Sequence, residues 1–138
     1  MKSLVLVFAL TACGTLSPKG ETLTESVRSY NDGVRWSRFA VAAVHVPPKQ
    51  RAQFVDDWDD RSNDLKISDY EVVKVDRKGA EEARVQVKLS WYKNSEGTLH
   101  ETQAVQTWER HGKDWLLVDE ARLRGTEMPG LPEPLMKD

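Results

Sequence analysis

Three groups of residues in this 138-residue chain could do chemistry: the single cysteine, the three histidines and a run of acids. Cys13 is the only sulfur nucleophile, so no disulfide can form within one chain, although an exported protein is expected to use cysteines in pairs. His45, His100 and His111 share no metal-ligand spacing. His111 falls in a turn, and His45 lies near a predicted helix end, where a cation is mildly favoured. His100 opens a strand-like run and could serve as a general acid-base or as a cross-strand polar contact. Asp56-Asp57-Trp58-Asp59-Asp60 could in principle hold Ca²⁺ or Mg²⁺. It lacks the calcium-loop pattern of alternating acids, a glycine and a terminal glutamate, and reads instead as the solvated face of a helix. Clustered acids oppose the dipole at a helix C-terminus, so that helix is expected to end near Trp58. Glycine-rich phosphate loops and Ser/His/Asp or Cys/His arrangements are absent from the sequence, and no metal or cofactor is implied.

The residues before Cys13 explain why a lone cysteine is there. Met1-Lys2 is a short positive start, and Leu4 to Leu10 is an unbroken apolar run. A membrane span needs about 20 such residues, so the run suits a signal-peptide core rather than a permanent anchor. It ends in Leu10-Thr11-Ala12-Cys13, which resembles the lipobox of bacterial lipoproteins. That resemblance implies a diacylglyceryl thioether on Cys13, cleavage before it and acylation of the new terminus. Residues 1–12 are then a signal peptide, and residues 13–21 a lipidated cysteine with a flexible tether broken by Pro18 and Gly20. Two or three acyl chains hold a protein to the bilayer persistently, whereas one holds it only reversibly. Gly14 stands where an aspartate would suggest retention at the inner membrane, so the expected location is the cell envelope, at the outer membrane. The alternatives are a plain secretory peptide, or a buried strand carrying an ordinary thiol.

Behind the tether the composition suits a single folded domain. Hydrophobic residues make up 39% and charged residues 30%, enough for a core and too apolar for a disordered polyelectrolyte. With Lys+Arg 20 against Asp+Glu 22, the net charge of −2 offers no basic footprint for nucleic acid. Leu23, Val27 and Tyr30 recur at helical spacing, Gly33 suggests a break, and Phe39, Val41 and Val44 continue the apolar pattern. Pro48 suits the start of a short helix bearing Phe54, Val55 and Trp58. The period then becomes two. Strands are predicted over 65–75, through Val85, Val87, Leu89 and Trp91, over 100–110 and over 115–118, with glycine turns at Gly79, Gly97 and Gly112. The fold class is α+β, with N-terminal helices packed on a four-stranded antiparallel sheet over residues 22–124 and an irregular Pro/Gly-rich tail over 125–138.

The run Thr107-Trp108-Glu109-Arg110-His111-Gly112-Lys113-Asp114-Trp115-Leu116-Leu117-Val118 resembles the last hairpin of nuclear-transport-factor-2-like domains. The order of elements over residues 22–120 resembles the same family, including a Pro-led helix and Tyr70-Glu71-Val72 opening a strand. The resemblance implies a cone, in which a curved sheet wraps on helices and the open end can hold a pocket. Members of that family include polyketide cyclases and ketosteroid isomerases as well as non-catalytic binding modules, so the fold does not choose an activity.

Tyr30 lies on a helix resembling the one that supplies an isomerase tyrosine, but no aspartate matches a catalytic motif, and no catalytic residue is assigned. Tyr30, Trp91, His100 and Trp108 are the candidate pocket residues, while the five tryptophans read first as core fillers. The outward face Arg84, Gln86, Lys88, Ser90 and Tyr92 could be plain surface or a sheet-to-sheet homodimer contact. The expected function is a membrane-anchored binding or assembly module for an envelope protein or an apolar small ligand. The alternatives are a cyclase- or isomerase-like enzyme and a structural subunit of an envelope complex.

Overall fold

The computed structural model describes residues 20–134, so the expected signal peptide, Cys13, most of the expected tether and the last four residues lie outside the described part. Three helices come first: α1 (Leu23–Arg35), α2 (Phe39–Ala43) and α3 (Arg51–Arg61), the last entered through a 3-10 turn at Pro48–Gln50. Four strands follow, β1 (Leu65–Arg77), β2 (Glu82–Lys93), β3 (His100–His111) and β4 (Asp114–Gly125). They pair antiparallel in chain order, so β1 and β4 are the edges. This is the expected α+β arrangement, with the helices on the concave face of a curved sheet.

Helix α1 forms where a capping box and an apolar stripe coincide. The Thr22 hydroxyl accepts from Glu25 N–H while the Glu25 carboxylate accepts from Thr22 N–H. Leu23, Val27, Tyr30 and Val34 then turn one face to the sheet. The expected break at Gly33 does not occur there. A Cβ on Gly33 would sit 3.0 Å from the Ala42 Cβ, so the glycine serves the close approach of α2 against α1 rather than a turn. The helix runs on to Arg35 with Trp36 as its C-cap, and Ser37, at φ 57°, then reverses the chain.

Helix α3 also outruns its expected end at Trp58. Arg61 lies in its last turn, where a cation favours the dipole, and its guanidinium stacks on Trp58 at 4.6 Å, which offsets the acids upstream. The Asp56, Asp57, Asp59 and Asp60 side chains are exposed. Among the described residues no group of three or more His, Cys, Asp or Glu converges on a metal site.

Strand β2 follows its two-residue period: Ala83, Val85, Val87, Leu89 and Trp91 are buried while Arg84 is exposed and Gln86, Lys88, Ser90 and Tyr92 are half-buried. Four of the five tryptophans lie in the core at 7% exposure or less, and Trp36 stands out at 61%. Strand β4 is longer than expected and carries a bulge. Trp108 pairs with Leu117 but Thr107 pairs with Asp119, so Val118 is the extra residue and the inward phase shifts by one. Beyond β4 the irregular segment after Gly125 buries Met128 and Leu131 in the same core.

Candidate functional site

The bulge at Val118 decides what the cone mouth contains. With its phase shifted, β4 turns Leu117 and then Glu120 inward, and Glu120 lies opposite Gln106 of β3. Gln106 is fully buried, and its amide is wholly committed. Its Nε2 donates to Glu120 Oε2 at 2.7 Å and to Asn31 Oδ1 at 3.0 Å. Its Oε1 accepts from Trp108 Nε1 at 3.2 Å and from Asn31 Nδ2 at 3.3 Å. Asn31 Nδ2 also donates to the Val27 carbonyl at 2.8 Å. A primary amide has two donor hydrogens and an oxygen with two lone pairs, so this glutamine has no freedom left to turn.

Tyr30, buried beside Asn31 on α1, brings its hydroxyl against the Glu120 carboxyl, and its ring packs edge-on to Trp108 at 5.9 Å. Burial pushes the Glu120 pKa up, and the charge of Asp119 adds to it. The Gln106 donor, Arg61 and Tyr30 pull the other way without winning. Burial and the Glu120 charge together hold the Tyr30 hydroxyl far above its ordinary range. The pair therefore carries protons more firmly than the same groups in water would.

These two residues sit on the wall of an open cavity of about 290 Å³ at the mouth of the cone. Its apolar side comes from Val46, Phe54, Trp58 and Leu117, and its rim carries Gln50, Asp57 and Arg61. The segment after β4 closes one flank. Leu131 N–H donates to the Met128 carbonyl, Arg122 N–H donates to the Pro132 carbonyl at 2.7 Å, and the Arg122 guanidinium grips Glu133 with two bonds of 2.6 and 2.7 Å. Gly130, at φ 81°, lies so close to the Arg61 guanidinium that a Cβ there would overlap it. Arg61 is thus held between the Trp58 ring and the Gly130 backbone, at the edge of the cavity.

Of the four candidate pocket residues, only Tyr30 lines this cavity. Trp108 lies beneath it, fully buried, as part of the filled interior. Trp91 and His100 stand elsewhere: Trp91 Nε1 donates to Thr102 Oγ1 at 2.9 Å, and His100 packs on the Trp91 ring at 4.5 Å while its Nε2 meets Glu96 Oε2 at 3.3 Å. His100 starts β3 at the end of the sheet beside the Glu96 turn, which keeps it out of the cavity. His45 also differs from expectation. It is 5% exposed, its Nε2 lies 2.9 Å from Ser29 Oγ, and burial lowers its pKa despite Glu21 nearby, so it is held neutral and not as a helix-end cation.

Sequence reasoning missed Glu120, Gln106 and Arg61. The run Trp115 to Val118 is apolar throughout and conceals its phase, so nothing in the pattern announced that Glu120 would turn inward.

No family model matches the chain, and no curated protein matches it. Solved structures do share its fold. A SEC-C-motif-containing protein of Rhodopseudomonas palustris superposes with a TM-score of 0.62 at 13% identity, over 72% of this chain and 77% of that one. A ketosteroid isomerase-like protein of Erwinia carotovora atroseptica superposes with a TM-score of 0.59 at 10% identity, over 72% of this chain and 92% of that one. The shared fold is helices followed by a curved four-stranded antiparallel sheet, consistent with the cone that the hairpin and element order resemble. At these identities the likeness concerns the backbone and leaves function to the site.

Proposed function

We propose that this chain is an envelope lipoprotein, held to the outer membrane by acylated Cys13, whose cone binds a small, partly apolar ligand without transforming it. The observation that carries the binding reading is where the space lies. Trp91, Gln106 and Trp108 fill the interior at 2% exposure or less, so within the described cone the space for a ligand lies at the mouth, in the cavity between α3, β4 and the final segment. Phe54, Trp58 and Leu117 offer it an apolar wall, and the Glu120 carboxyl, whose pKa burial raises, offers a polar partner beside that wall. The anchor is supported by the resemblance of Leu10-Thr11-Ala12-Cys13 to a lipobox behind a short apolar run, and by Cys13 being the one cysteine of the sequence.

The contact of Glu120 with Tyr30 favours a second reading, a cyclase- or isomerase-like enzyme in which Glu120 moves a proton and the Tyr30 hydroxyl steadies a developing oxyanion. Native mass spectrometry of protein released gently from its own membranes separates the readings. A small molecule retained by the wild type and lost in Gln50→Trp, which blocks the rim, supports a binding cavity there. A ligand that Glu120→Gln retains but the wild type releases chemically altered supports the enzyme. A ligand held equally by wild type and Gln50→Trp contradicts both.

A further inference from the structure

Residues 39–48 form a run with no Asp, Glu, Lys or Arg, and its one histidine, His45, is held neutral by burial. Phe39, Ala42, Ala43 and Val46 face the core, which leaves Val41 and Val44 outward at 48% and 53% exposure. Trp36 lies just before this run at 61% exposure. Val41 lines one surface groove with Trp36 and another with Val44 and Glu21, so the three apolar side chains follow one another along the α1–α2 face.

The turn that presents Trp36 is a built one. Trp36 N–H donates to the Asp32 carbonyl at 3.0 Å and Arg38 N–H to the Gly33 carbonyl at 2.7 Å. The Arg35 guanidinium lies on the indole at 4.2 Å. Arg28 and Arg38 border the groove, together with Glu25 and Asp32. Tryptophan beside arginine is the pairing that suits a membrane-water interface, where the indole sits at headgroup level and arginine stems lie along the apolar layer.

Chain length brings this face to a bilayer. The face begins at Glu21, whose carboxylate is 3.9 Å from His45 Nδ1, and Gly20 follows Cys13 by seven residues. Seven extended residues span at most about 25 Å. We infer that the α1–α2 face bearing Trp36, Val41 and Val44 rests on the phospholipid surface to which Cys13 is attached. The inference takes its bilayer from the anchored reading above, and its test supplies the anchor chemically, so that the two stand or fall separately.

The full chain, made without lipid, is coupled through the Cys13 thiol to a maleimide-headgroup lipid in vesicles of phosphatidylethanolamine and phosphatidylglycerol containing brominated acyl chains. The expected result is loss of about a fifth of the tryptophan emission, one indole in five, with the loss abolished in Trp36→Phe. Val41→Asp with Val44→Asp changes only outward side chains and is expected to remove the quenching while exposing Trp36 to acrylamide. Emission untouched by the brominated lipid, with Trp36 as open to acrylamide on vesicles as in solution, would overturn the inference. A native protein whose Cys13 carries no lipid would sink the anchored reading and leave this result intact.

Discussion

Gln106 donates to Glu120 across 2.7 Å while its remaining hydrogen-bonding capacity is spent on Asn31 and Trp108. A buried amide with every partner assigned fixes the one carboxyl on the cavity wall that also touches Tyr30. The cavity's polarity is thus set from beneath, by residues no ligand reaches.

Glu120→Gln is expected to stabilise the protein by about 1 kcal/mol near neutral pH, because it removes a desolvated carboxylate and keeps an acceptor for Gln106. The sign follows from linkage. A carboxyl whose pKa is raised on folding contributes stability below its unfolded value, near 4.5, and loses it as pH rises through the folded value. Urea denaturation between pH 4 and 8 should show this decline in the wild type and not in the variant.

Gln106→Leu should do the opposite, at a cost of about 2–4 kcal/mol, since Asn31, the Trp108 N–H and the Glu120 carboxyl all lose a partner at once. Adding Asn31→Leu should recover part of the loss. Equal and additive costs in a double-mutant cycle would show that the three groups do not act as one network.

His45 titrates in the reverse sense to Glu120. Burial lowers its pKa, so the unfolded chain binds more protons and stability falls as pH drops below about 6.5. His45→Gln should flatten the change in unfolding midpoint between about pH 7.5 and 5.5. An unchanged slope would mean that the imidazole is not held neutral.

Gly33→Ala sets two effects against each other. Alanine is favoured over glycine within a helix by about 1 kcal/mol, but here its Cβ would meet Ala42 at 3.0 Å. The α1–α2 contact must open, so the net effect is expected to be destabilising by about 1–2 kcal/mol. Thermal melting gives the sign directly.

The same glycine marks where the sequence could and could not be read. Strand β2 was legible because Val85, Val87, Leu89 and Trp91 alternate with polar residues, so a single face is apolar. The N-terminus of α1 was legible from helical spacing that places Leu23, Val27 and Tyr30 together. Gly33 was misread because glycine permits both a turn and a close approach, and local sequence does not say which. Arg61 extended α3 through a contact with Trp58 one turn back, outweighing the acids that argued for an earlier stop. Glu120 stayed hidden because a bulge inside an all-apolar run leaves no trace in polarity, and the burial of Met128 and Leu131 depends on the cone they cover.

The central claim, a ligand-binding cone hung from a lipid, is tested most directly by the mass of the first peptide of the native protein taken from its own membranes. The account predicts a chain that begins at Cys13 and carries a diacylglyceryl thioether together with an acylated amino group. A free Cys13 thiol, or a chain still beginning at Met1, would contradict it.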